Sequence, residues 1–154
     1  MTDVFDVQTR SRTMAAVKGR DTSPELRLRR AMHAAGFRHR LNVRALPGSP
    51  DLVYPRFRAA VFVHGCFWHR HPGCARATTP ATRTDYWLPK FARNVERDGQ
   101  AVAALRASGW RVAVVWECAL GVRRAPATAK TLADWLRSEA PLLELPGAPE
   151  PAGA

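Results

Sequence analysis

Residues 65–84 run without helical or strand periodicity and are rich in Gly, Cys, His, Pro and Thr. A stretch of that length in a small domain needs something to hold it. The means are in the sequence: Cys66, His71 and Cys74 lie inside the stretch, and Cys118 follows the apolar run that begins at Arg111. Four donors of the Cys₃His type make a closed tetrahedral zinc site that would tie the loop to the body of the protein. His69 reaches as well as His71, so spacing leaves the choice of imidazole open. Three ordinary buried thiols beside a surface histidine is the alternative. An odd number of cysteines, 3, argues against a disulfide framework.

The charge balance points to a polyanionic partner. In 154 residues, 24 Lys and Arg face 13 Asp and Glu, a formal net charge of +11, and nearly all the cations are arginine. Arginine suits phosphate and base-edge contacts. Neither a membrane-length apolar run nor a signal-peptide pattern is present, so a cytoplasmic protein is expected. The length predicts one domain with extensions: residues 1–22 as a DNA-contacting arm, 23–140 as the domain, and 141–154 as a Pro- and Ala-rich disordered tail.

A helix is expected from an N-cap at Ser23 to Gly36, with Pro24 in its first turn and Leu28, Ala31, Met32 and Ala35 on its core face. Strands are expected at 37–41, 51–54, 59–64 and 111–117, the middle two as a hairpin. Further helices should cover 90–108, with Trp87, Phe91, Val95, Val102 and Leu105 inward and Pro89 confined to the start, and 128–136, with Leu132, Trp135 and Leu136 inward. This order predicts an α/β sandwich around a mixed sheet.

Asp51 follows Pro50 at a strand start beside the strand that ends at His64, a place where a carboxylate can hold Mg²⁺ against a phosphate; alone, Pro-Asp is more often a turn cap. His64, His69 and His71 offer both metal ligation and proton transfer near neutral pH. Phe67 and Trp68 sit among these residues and Trp87 follows Arg83-Thr84-Asp85. Aromatics on a basic loop can wedge into DNA, although the helical spacing of Trp87 favours core packing.

Several runs in one order then become recognisable: Arg10-Ser11-Arg12-Thr13-Met14, Asp21-Thr22-Ser23-Pro24-Glu25, Pro47-Gly48-Ser49-Pro50-Asp51, Val61-Phe62-Val63-His64-Gly65-Cys66-Phe67-Trp68-His69, Ala81-Thr82-Arg83-Thr84, Asn94-Val95-Glu96-Arg97-Asp98, Gly109-Trp110-Arg111-Val112 and Val115-Trp116-Glu117-Cys118. Over residues 8–138 the chain resembles the very short patch repair endonucleases. The resemblance implies a restriction-endonuclease-like fold, one structural zinc and two Mg²⁺ ions. It also implies nicking of duplex DNA 5′ to the T of a T·G mismatch left by deamination of 5-methylcytosine. Position by position, it makes Asp51 the principal Mg²⁺ ligand, aided by the Val63 carbonyl, and His69 the water-activating base, supported or oriented by Glu25. It places His64 at the metal and phosphate site. Cys66, His71, Cys74 and Cys118 become the zinc ligands, and Phe67, Trp68 and Trp87 the residues entering DNA. A cytosine-5 DNA methyltransferase and repair proteins are the implied companions of a monomer acting at the bacterial nucleoid. Other nucleases of this fold often carry an acid and a Lys where this chain has Phe62 and His64. Val63 stands where some members have Thr, which matters little if only its carbonyl serves. The competing readings are a restriction-type nuclease without mismatch specificity and a non-catalytic, zinc-stabilised DNA-binding module.

Overall fold

The computed structural model describes residues 22–147. The expected arm at 1–22 therefore lies outside the described residues, Thr22 excepted. Helix α1 spans Ser23–Ala34. Its cap is Thr22, one residue before the expected Ser23, and the Thr22 carbonyl accepts the Leu26 N–H at 2.9 Å. At the other end Gly36, at φ +96°, lets its own N–H reach the His33 carbonyl and the Phe37 N–H reach the Met32 carbonyl, both at 3.0 Å. That Schellman arrangement satisfies the last carbonyls and turns Phe37 into the core. Leu28 and Met32 are fully buried and Ala31 packs at their edge. Ala35 is the C-cap and exposed, so the apolar stripe stops a turn early.

Five strands form one mixed sheet in the order β1-β2-β3-β4-β5: β1 Arg40–Leu41, β2 Leu52–Tyr54, β3 Ala59–His64, β4 Arg111–Trp116 and β5 Leu142–Leu145. The first three are antiparallel neighbours; β3, β4 and β5 are parallel. Parallel neighbours need crossovers. Helix α2, Thr84–Ala107, follows the long loop between β3 and β4, and α3, Ala125–Leu136, joins β4 to β5. The period of 2 in β3 and β4 sorts the two faces. Ala59, Val61, Ala113 and Val115 pack with α1 and α3, while Ala60, Phe62 and Val112 pack with Leu105 and Val102 of α2. Arg111 locks α3 onto the sheet by donating to the carbonyls of Trp135, Leu136 and Ala140, with its guanidinium 4.3 Å from the Trp135 ring.

Three further expectations need correction. Helix α2 begins at Thr84 rather than Lys90, with Pro89 inside it. The carbonyl that Pro89 leaves without a donor belongs to Asp85 in the exposed first turn, where water can reach it, so the usual cost of an interior proline is small there. Consequently Val95 turns outward, 48% exposed, because the buried face is set by Phe91 and Leu105. The segment after Pro141 is not all disordered tail: Leu142, Leu143 and Leu145 supply enough apolar surface to add β5 along the free edge of β4, in register from Val112↔Leu142 to Val115↔Leu145. Residues 148–154 lie outside the described residues.

Candidate active site and metal centre

A cleft of about 750 Å³ opens between the turn at 42–49, the start of β2, the end of β3 and α2. Gly48 lets that turn approach closely: at φ +75° a side chain there would meet the Ala101 Cβ at 2.6 Å. Asp51, immediately before β2, lines the cleft and accepts the Val63 backbone N–H at 2.7 Å through Oδ2. Burial pushes the Asp51 carboxyl up to about 7, and the neighbouring Glu25 charge, itself 1% exposed, adds to this against the Val63 N–H. A carboxylate so placed gains from a nearby cation. Arg44 and Arg97 line the same cleft.

His69, on the loop after β3, places Nδ1 2.7 Å from Asp98 Oδ2 on α2. A carboxylate only accepts, so a proton lies on Nδ1, and the neutral form of this ring carries its lone pair on Nε2. His64 stacks on His69 with ring centroids 4.0 Å apart and planes 5° from parallel, and its Nε2 is 4.0 Å from Asp98 Oδ1. Packed edge-on against Trp116 and beside Phe62, His64 is 6% exposed. Burial first, then the His69 charge, depress its pKa to about 4 against the pull of Asp98, so it is neutral at physiological pH.

Behind these histidines, Cys66, His71, Cys74 and Cys118 bring one donor atom each within 4.8 Å of the others. His71 Nδ1 is 3.7 Å from Cys66 Sγ and 3.5 Å from Cys118 Sγ. A tetrahedron with Zn–S near ~2.3 Å and Zn–N near ~2.0 Å has edges of about 3.5–3.8 Å, so this donor set fits zinc. The surroundings hold it in place: the Cys66 N–H donates to Glu117 Oε1 at 3.1 Å, and the His71 ring stacks on Trp116 at 4.3 Å. The Trp116 indole in turn donates to Glu144 of β5 at 2.9 Å. Thus the edge strand braces the Cys/His cluster through one tryptophan.

Phe67, Trp68 and Trp87 meet in a half-buried aromatic cluster with Phe91, the Phe67 ring lying 5.0, 6.1 and 5.2 Å from Trp68, Trp87 and Phe91. Tyr86 extends it, 48% exposed, and Lys90 Nζ lies 5.3 Å from the Trp68 ring. A model of the family described as "DNA mismatch endonuclease Vsr" matches residues 2–76. The DNA mismatch endonuclease Vsr of Escherichia coli is 44% identical over 142 residues, 90% of this chain and 90% of that protein. The chain belongs to the Vsr family. The type II nicking enzyme V.XorIIP of Xanthomonas oryzae is 48% identical over 120 residues, covering 78% of this chain and 88% of that protein. V.NmeAIP of Neisseria meningitidis, another type II nicking enzyme, is 40% identical over 120 residues, 78% and 85%.

Within this Vsr fold Asp51, Val63, His64 and His69 share the cleft, and His71 rather than His69 joins the cysteines. Asp98 hydrogen-bonds His69, a role the sequence does not mark, and the Glu25 charge acts on Asp51. A second unanticipated residue is Arg70, at φ +57°. Its guanidinium donates to the carbonyls of Phe67, Ala77 and Thr78 and to Thr79 Oγ1 at 2.8–3.3 Å and lies 4.1 Å from the Phe91 ring. Arg70→Ala is therefore expected to speed proteolysis within residues 75–83 by about tenfold, the effect of ~1.4 kcal/mol of local opening. Arg70→Lys should rescue little, because an ammonium cannot reproduce the fork. Unchanged proteolysis in Arg70→Ala would show that the loop is held without it.

Proposed function

We propose that this chain is a Mg²⁺-dependent endonuclease that nicks duplex DNA 5′ to the T of a T·G mismatch, leaving 3′-hydroxyl and 5′-phosphate ends. The observation that carries the reading is the shared cleft: Asp51 bonded to the Val63 backbone, beside an imidazole whose Nδ1 is engaged by Asp98. In a strand a residue's N–H and C=O face the same edge. The bond from the Val63 N–H to Asp51 therefore supports the Val63 carbonyl and Asp51 as the protein's oxygen donors to Mg²⁺. Two bound Mg²⁺ ions would neutralise charge on the attacking and leaving oxygens of the scissile phosphate.

His69 takes a proton from water at Nε2, and Asp98 steadies the resulting imidazolium through Nδ1. His64, held neutral, acts at the metal and phosphate site as a hydrogen-bond donor or acceptor rather than a charge. Glu25 keeps a second negative charge behind Asp51 and sharpens its demand for cations. Arg44 and Arg97 receive the phosphates flanking the cut. Cys66, His71, Cys74 and Cys118 hold a structural zinc, which fixes the loop bearing His69, Phe67 and Trp68.

We further propose that the scaffold is restriction-endonuclease-like, that residues 1–22 form a DNA-contacting arm, and that the protein works as a bacterial monomer at the nucleoid. Its supply of substrate would come from a cytosine-5 methyltransferase, with repair proteins acting on the nick. The names of the type II nicking relatives favour a second reading, a nicking enzyme without mismatch specificity. Preference for a T·G duplex over a matched one separates the two.

Phe67, Trp68 and Trp87 form the wedge that opens the duplex at the mismatch. Replacing each by Ala is expected to lower T·G over matched-duplex discrimination about tenfold or more while leaving the salt slope of DNA binding unchanged. Equal losses on matched and mismatched duplexes would assign these rings to packing.

A further inference from the structure

Outside the thiol cluster, His64, His69 and Asp98 each offer a donor atom within 4.8 Å of the others. One carboxylate faces both rings, Oδ2 toward His69 Nδ1 at 2.7 Å and Oδ1 toward His64 Nε2 at 4.0 Å. We propose that these three residues form a second metal site, selective for borderline transition ions such as Ni²⁺, Co²⁺ and excess Zn²⁺, whose occupancy inhibits the enzyme. Two imidazoles and one carboxylate are donors that such ions prefer, whereas Mg²⁺ takes oxygen.

Closing the site requires a small movement. Metal–donor bonds of ~2.1 Å bring neighbouring donors to about 3 Å apart, and the lone pairs of two stacked rings must converge. His64 is held between Phe62 and Trp116, so it stays. His69 sits on the loop with its side chain 30% exposed and is the ring that turns. The consequence lies in the proton. With Asp98 as partner, Nδ1 carries it and Nε2 can accept another. A metal on Nδ1 forces the neutral ring into the other tautomer, placing the proton on Nε2; no proton is gained or lost, but the basic nitrogen disappears. The ion therefore stops water activation at His69. Metal binding stands on the donor geometry alone; inhibition also rests on the reading of His69 as base.

The test is calorimetric titration of NiCl₂ into the zinc-loaded full chain, with zinc content measured in the same samples. One Ni²⁺ beyond the zinc is expected, bound at least tenfold more weakly by both His64→Gln and Asp98→Asn. Ni²⁺ should also block nicking of a T·G duplex in excess Mg²⁺, reversibly on its removal. Equal Ni²⁺ affinity in both variants, or zinc leaving as Ni²⁺ enters, overturns the site. Binding lost in the variants without inhibition of the wild type overturns the inhibitory role. A wild type that binds Ni²⁺ here yet never nicks any duplex contradicts the functional reading and leaves the metal site standing.

Discussion

Asp51→Asn is expected to lower the nicking rate about a thousandfold or more and, in cation-free buffer at pH 8, to raise the melting temperature. The rate loss corresponds to the several kcal/mol by which a bound cation stabilises developing charge. The stability gain follows from linkage. Burial and then Glu25 lift the folded pKa of Asp51 to about 7, against about 3.9 in an unfolded chain. Between those values the native state keeps a proton that the unfolded state has shed, so stability falls as pH rises from about 4 to about 7. Above that range the full cost is present; below pH 4 it vanishes. Asparagine never ionises, and its carbonyl can still accept the Val63 N–H. Roughly 1–3 kcal/mol at pH 8, several degrees in melting temperature, should separate variant from wild type, with no gain at pH 4. Added Mg²⁺ should stabilise only the wild type. Calorimetry at both pH values reads this directly, and a variant less stable at pH 8 would make Asp51 a turn cap.

The second large effect is expected at the thiol cluster. Cys66→Ser and His71→Ala should each release the zinc and cost several kcal/mol, about 10 °C or more in melting temperature. Burial pushes the Cys66 thiol up to about 12 and also raises Cys118, whereas the backbone N–H of Arg76 lowers Cys74. Zinc binding must therefore expel protons from Cys66 and Cys118, and the metal should leave as pH falls. Metal analysis and proteolysis give the readouts: about one zinc in the wild type, none in the variants, and cleavage confined to residues 65–83. The α1–α3 side of the core, built on Leu28, Met32 and Leu132, should persist. Metal-free wild type with an intact, protease-resistant loop would contradict the assignment.

The parts of this protein legible from its sequence are those where local pattern and tertiary role agree. Strand β3 was visible as an apolar run and pairs over its full length with β4. The thiol donors were visible by type and spacing, although spacing could not choose between His69 and His71; the hydrogen bond from His69 to Asp98 makes the distinction. Asp98 is not legible as a site residue because its role depends on packing α2 against the loop, and nothing local in Asn94-Val95-Glu96-Arg97-Asp98 marks it. The sequence places the start of α2 too late because Pro89 reads as a first-turn residue, whereas an exposed turn tolerates it deeper in the helix. Strand β5 is not legible because a Leu-rich segment next to Pro and Glu becomes a strand only when β4 offers an edge. Glu25 lies in the first turn of α1, where a sequence places it at the surface, yet the fold buries it and its charge acts on Asp51.

The most direct test of mismatch-directed nicking at Asp51 is cleavage of end-labelled duplexes, T·G and matched, in varied flanking sequence, with Mg²⁺ or EDTA. A single nick immediately 5′ to the mismatched T is predicted, in one strand, dependent on Mg²⁺ and absent in Asp51→Asn. Equal cutting of matched DNA, or no cutting in any context by folded, zinc-loaded protein, would contradict it.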